Sequence, residues 1–150
     1  MDSDLRILSF NCGGLSVTKH RELKLFMELN KLDVLCLQET KCSANNFKTI
    51  PGYNIEYINH TNNKDNVAGG LAIYVAQNVQ YYKLNIDVPL KSDGSAAVET
   101  LAIVVHPSKH APFVLVITFT LAVVPCSFKH TREKSEEQNR AQTVCLYRRF

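Results

Sequence analysis

The chain contains no CxxC pair, no GxSxG, no P-loop and no dinucleotide-type glycine pattern. These absences exclude a zinc ribbon, a serine-hydrolase elbow and a nucleotide-cradling loop. The five cysteines, Cys12, Cys36, Cys42, Cys126 and Cys145, are odd in number and irregular in spacing. They form no disulfide framework and suit a reducing compartment. No charged-then-apolar leader opens the chain, because Asp2 and Asp4 stand where one would begin. The expected location is therefore intracellular, nuclear or cytoplasmic, and not secreted, and the sequon Asn59-His60-Thr61 is read as chance. None of His20, His60, His106, His110 and His130 has a partner at metal-ligand spacing, so each is read as structural or solvated.

A large excess of positive charge is missing too. The formal net charge is +3, and residues 1–118 hold 11 Lys/Arg against 11 Asp/Glu. The remaining 32 residues hold 6 against 3 and supply the whole excess. Charge alone thus defines no nucleic-acid face, and Lys129, Arg132 and Lys134 read as a solvated run. The stretch Ala111–Phe128 is uncharged over 18 residues, but within it Pro112 and Pro125 bracket only a dozen, and Val, Ile, Thr and Phe dominate. A spanning helix needs about 20 apolar residues, so this composition predicts a buried strand and no membrane association.

What remains is a chain of single-domain length, 150 residues with 45% hydrophobic content, enough to bury a core. It has no internal repeat and no low-complexity tract. A strand is expected at Leu5–Phe10, then a turn through Gly13 and Gly14. A helix follows over Lys19–Asn30, capped by Thr18, with Leu23, Phe26, Met27 and Leu29 or Asn30 on one face. Val34–Gln38 reads as a second buried strand. Further strands are expected at Tyr53–Asn59, Gly69–Ala76, Val79–Leu84 (short and on an edge), Val98–Val105 and Phe113–Leu121. Pro51-Gly52 and Lys91–Ser95 read as turns and Thr61–Asn66 as a mobile loop, while Gly69-Gly70 reads as a bulge or a close backbone approach. Residues 119–150 form a divergent tail. There Ser135-x-x-Gln138 resembles a capping box, and Ala141, Val144 and Cys145 fit one helical face. A C-terminal helix and a frayed tail both stay open.

The segment VLCLQET, 34–40, ends a buried strand on a carboxylate, which costs free energy unless the charge is paired or holds a cation. A strand–helix–strand crossover makes its two strands parallel, so both finish at the same sheet edge. Asn11 and Glu39 are thereby delivered to one rim, where ligands often bind. Mg²⁺ takes oxygen ligands, keeps several waters and typically uses one or two carboxylates with substrate phosphate. Glu39 and the neighbouring Asn11 amide suffice as the protein share of such a site, with Asn11 binding phosphate or orienting the carboxylate. The spacing equally allows Glu39 to be exposed to water while Asn11 makes a turn bond to Gly13 or Gly14.

LRILSFNCGGL (5–15), LDVLCLQETK (32–41), PGY (51–53) and GGLAIYV (69–75) occur in an order and spacing that resemble the endonuclease/exonuclease/phosphatase superfamily. The similarity is greatest to the endonuclease domains of non-LTR retrotransposons (LINE-type), and it covers roughly residues 5–105. Glu99, in VETLAIVV, looks like the glutamate that opens a later family strand. The resemblance implies an α+β, four-layer α/β-sandwich, two packed sheets flanked by helices, incomplete in this chain. It implies Mg²⁺-dependent phosphodiester hydrolysis (with Mn²⁺ an alternative metal) and, in that branch, nicking of target DNA. Asn11 matches the family's first active-site asparagine and Glu39 its metal-binding glutamate.

The departures are equally specific. Gly13 stands where many members carry Asp or Asn. A GDFN-like motif, and an SDH-like motif with its general-base His, do not occur. The expectation is accordingly of an N-terminal portion, 1–118, of such a domain, in a truncated or mispredicted product that is weakly active or inactive alone. Two other functions stand beside it: a non-catalytic fragment that self-associates through an uncovered sheet edge, with dimerisation depending on the strand from Phe113 to Val124, and a phosphoinositide or phospholipid phosphatase-like member. The last needs basic residues around the rim, and residues 1–118 show no such cluster.

Overall fold

The computed structural model describes residues 4–42, 48–59, 69–88, 98–119 and 142–148, the last of these as backbone alone. The Thr61–Asn66 loop, the Lys91–Ser95 turn, the Ser135-x-x-Gln138 capping box and residues 120–128 of the apolar run lie outside the described residues.

Strand β1 (Ile7–Asn11) leads through helix α1 (Val17–Asn30) into β2 (Val34–Gln38), and the two strands pair in parallel with Ile7 opposite Val34 and Asn11 opposite Gln38. Strands β3 (Tyr53–Ile58) and β4 (Leu71–Ala76) follow, both antiparallel to their neighbours, and complete a first sheet of order β1-β2-β4-β3. Strands β5 (Gln80–Leu84), β6 (Glu99–His106), β7 (Phe113–Phe119) and β8 (Gln142–Arg148) form a second, antiparallel sheet in sequence order.

The alternation of side chains in a strand divides the core in two. On one face of the first sheet, Val34, Cys36, Leu71, Ile73 and Val75 pack with Leu101, Ile103, Leu115, Ile117 and Phe119 of the second. On the other face, Leu35, Leu37, Ala72 and Tyr74 pack with Met27 and Leu15. Strands β2 and β4 are therefore covered on both sides, which is why each reads as a continuous apolar run. Helix, sheet and sheet make three of the four expected layers; no helix covers the outer face of the second sheet among the described residues.

Four details depart from the sequence reading. The helix begins at Val17, not Lys19, because Ser16 and not Thr18 caps it, its hydroxyl accepting the Lys19 amide at 3.2 Å. Only Met27 of the expected face is fully buried, with Leu23 packed beside it; Phe26 and Leu29 point outward. The reason is that a single sheet needs only the i, i+4 stripe of a helix lying across it. Residues 142–148 are a strand paired with β7, not the C-terminal helix that Ala141, Val144 and Cys145 had suggested. The tertiary edge offered by β7 outweighs a weak helical pattern in a segment rich in Thr, Val and Tyr. Consequently β7 lies between β6 and β8, so a strand expected to mediate dimerisation is not an edge. Among the described residues no helix is long and apolar enough to cross a membrane.

Candidate active site

The parallel crossover places Asn11 at the end of β1 and Glu39 one residue past the end of β2. Their side chains meet: Asn11 Nδ2 donates to Glu39 Oε1 at 2.9 Å across 28 residues of sequence. The turn bond that spacing also allowed is present at the same time, since the Gly13 amide donates to Asn11 Oδ1 at 2.9 Å. One amide thus closes the turn and aims the carboxylate. Glu39 is only 2% exposed, so it is not the solvated strand end of the alternative reading.

The backbone around Glu39 is unusual. Glu39 and Lys41 both adopt left-handed conformations, φ 53° and 50°, which cost non-glycine residues on the order of 1–3 kcal/mol each. Such a loop persists only where its surroundings fix it, and here four main-chain bonds do so. The amides of Gly14 and Leu15 donate to Glu39 O (2.7 Å) and Thr40 O (2.8 Å), and the amides of Thr40 and Lys41 donate to Gly70 O (3.1 Å) and Gly69 O (2.9 Å). The loop after β2 is therefore held on one side by the loop after β1 and on the other by the glycines before β4.

Two lysines tie down the first of these supports. Lys19 Nζ donates to Cys12 O at 2.6 Å and Lys48 Nζ to Leu15 O at 2.8 Å. Sequence reasoning missed both, because a lysine reaching a distant carbonyl leaves no local pattern. The close backbone approach expected at Gly69-Gly70 is found. A Cβ on Gly70 would lie 2.5 Å from Thr40 Oγ1, and a Cβ on Gly69 would lie 2.6 Å from Glu99 Oε1. Glu99, 7% exposed at the start of β6, accepts the Gly70 amide through Oε2 at 2.8 Å.

Among the described residues, His20, His106 and His110 stay out of this centre. His20 sits in α1, where burial and then the charge of Lys48 push its pKa down, which keeps the ring neutral. His106 and His110 line a cleft of about 220 Å³ with Asp4 and Asp33. That cleft lies at the start of β1 and β2, the sheet edge opposite Glu39. Among the described residues no group of three His, Cys, Asp or Glu side chains is arranged to hold a metal. Cys12 and Cys42 are buried beside the loop, and burial raises both thiols above their ordinary pKa, so neither is poised as a nucleophile.

A hard oxygen donor, buried, aimed by an amide and fixed by a strained backbone fits an alkaline-earth cation that draws its remaining ligands from water and substrate phosphate. Zinc takes three or four protein ligands, and no such group is assembled among the described residues.

The fold has counterparts among solved structures. The human Nocturnin catalytic domain with bound sulfate anion superposes with a TM-score of 0.53 at 17% identity, over 76% of this chain and 48% of that one. The AP endonuclease LMAP from Leishmania major superposes with a TM-score of 0.50 at 21% identity, over 75% and 39% respectively. This chain thus spans less than half the length of either. No protein of curated function matches it in sequence. Residues 8–125, however, match the profile of the endonuclease/exonuclease/phosphatase family, and the chain belongs to that family.

Proposed function

We propose that these 150 residues carry the cation-holding part of a Mg²⁺-dependent DNA endonuclease site of the retrotransposon type. The contact that supports this most strongly is the Asn11–Glu39 hydrogen bond at the common end of two parallel strands. Enzymes of this family typically use divalent metals. Glu39 would hold Mg²⁺, with Mn²⁺ able to replace it, and Asn11 would keep the carboxylate turned toward the rim. A cation bound there supplies polarisation of a phosphodiester and neutralises charge on the leaving oxygen. With Oδ1 engaged by Gly13, Asn11 acts first as the residue that orients Glu39 and only secondarily as a ligand.

The retrotransposon branch and DNA as substrate rest on the ordered set of motifs from LRILSFNCGGL to GGLAIYV. Residues 1–150 include no GDFN-like motif and no SDH-like motif, the one that by resemblance would carry the general-base His. Members of a catalytic unit act together, and a chain holding only some of them is weakly active or inactive alone.

Supercoiled plasmid incubated with the chain and Mg²⁺ tests this reading, beside Glu39→Ala and an EDTA control. Nicking is expected to be slow at most and to vanish in both controls. Undiminished nicking by a folded Glu39→Ala chain would overturn the assignment.

A second reading has its own observation. Among the described residues, strand β1 is an edge of the first sheet, with Ser9 exposed and Phe10 45% exposed. An uncovered edge of this kind accepts another strand. The chain then works as a fragment that pairs through β1 with a second copy. Concentration-dependent dimerisation abolished by a proline at Ser9 distinguishes this reading from the first.

A further inference from the structure

Glu99 belongs to the second sheet and lies 60 positions beyond Glu39 in sequence, yet its carboxylate is built into the support of the candidate site. Residue alternation puts it on the same face of β6 as Leu101 and Ile103, toward the first sheet. A buried carboxylate at the margin of an apolar core is costly unless it makes strong hydrogen bonds. Here it receives the Gly70 amide at 2.8 Å and lies so close to Gly69 that a Cβ would come within 2.6 and 2.7 Å of its two oxygens. Only glycine fits that contact, and only glycine takes φ 82° and 89° at the two positions without strain.

The same two glycines hold the Glu39 loop from the other side. Gly70 O accepts the Thr40 amide and Gly69 O the Lys41 amide. Two polar links therefore separate Glu99 from the residues flanking Glu39. One is carboxylate to glycine; the other is glycine carbonyl to loop amide. Without the first link, Gly69 and Gly70 are free to turn, and the left-handed backbones of Glu39 and Lys41 are held only from the other side, by the Gly14 and Leu15 amides.

Resting on the reading of Glu39 as the cation ligand, we propose that Glu99 is its positioning residue. Across the sandwich, Glu99 fixes Gly69-Gly70, which fixes the Thr40-Lys41 backbone and hence the direction of the Glu39 carboxylate. Outer groups that orient a metal ligand are typically worth 10–100-fold in metal affinity.

Residue-resolved amide exchange and Mn²⁺ titration of wild type, Glu99→Ala and Glu99→Gln test this together. In Glu99→Ala, the Thr40 and Lys41 amides are expected to lose protection while Leu35 and Ile103 keep theirs, and Mn²⁺ affinity should fall by about 10-fold or more. Glu99→Gln, which keeps an acceptor for Gly70, should restore both. If Glu99→Ala fails to fold, Glu99→Asp replaces it, its carboxylate short by one methylene. Selective loss at Thr40 and Lys41 supports the proposal, and unchanged protection there overturns it. Wild-type chain that binds no Mn²⁺ would sink the metal reading of Glu39, while the exchange data would still decide whether Glu99 holds the loop.

Discussion

At the scale of single residues, the site depends on positions whose backbone no ordinary residue prefers. Gly70 has φ 89° and its missing Cβ leaves space that Thr40 Oγ1 occupies, 2.5 Å from where a methyl would be. Gly70→Ala therefore adds both conformational strain and a clash and should destabilise the chain by roughly 2 kcal/mol or more. A melting temperature lower by about 5 °C or more is the expected readout. Gly13→Ala is the internal comparison, because Gly13 has φ 53° but nothing within 4 Å of a Cβ; its cost should be closer to about 1 kcal/mol. Equal melting temperatures for the two variants would contradict the packing argument. This scale was the least legible in sequence. VLCLQET announced a carboxylate at a strand end, and Gly69-Gly70 announced a close approach. The φ of Glu39, the lysine contacts to Cys12 O and Leu15 O, and the Glu99–Gly70 bond all join residues distant in sequence, and no local periodicity encodes them.

Elements were far more legible, for a physical reason. Buried strands such as β2 and β4 bury both faces, so uninterrupted apolar runs bounded by polar residues mark them with little ambiguity. Where a second influence competes, the pattern misleads: α1 starts two residues early because Ser16 rather than Thr18 makes the cap, and β8 forms where spacing allowed a helix. The depth of β2 has a measurable consequence. Cys36 is fully buried, and loss of hydration pushes its thiol up to about 12 from the ordinary 9.0. The folded chain thus retains a proton that the unfolded chain releases above pH 9. Stability from this group is complete below pH 9 and falls as pH rises from 9 toward 12. Denaturant midpoints measured across that range should decline for wild type, and the decline should be shallower in Cys36→Ala. Identical slopes would show that burial of this thiol contributes nothing.

On the scale of the whole molecule, a crossover and a sandwich build the candidate site. The parallel β1–α1–β2 unit brings Asn11 and Glu39 to one rim, and the second sheet reaches across through Glu99 to brace that rim. The family and its two-sheet architecture could be read from four short motifs in order, because those motifs sit at strand ends where the fold and the chemistry coincide. The span of the chain relative to Nocturnin and LMAP, 48% and 39% of their lengths, makes metal binding a more direct test than turnover. Titration calorimetry with Mn²⁺ on wild type, Asn11→Ala and Glu39→Ala is the decisive measurement. One site is expected in wild type, weakened by about 10-fold when the orienting amide of Asn11 is removed and lost with the carboxylate of Glu39. A folded Glu39→Ala chain that binds Mn²⁺ as tightly as wild type would contradict the account.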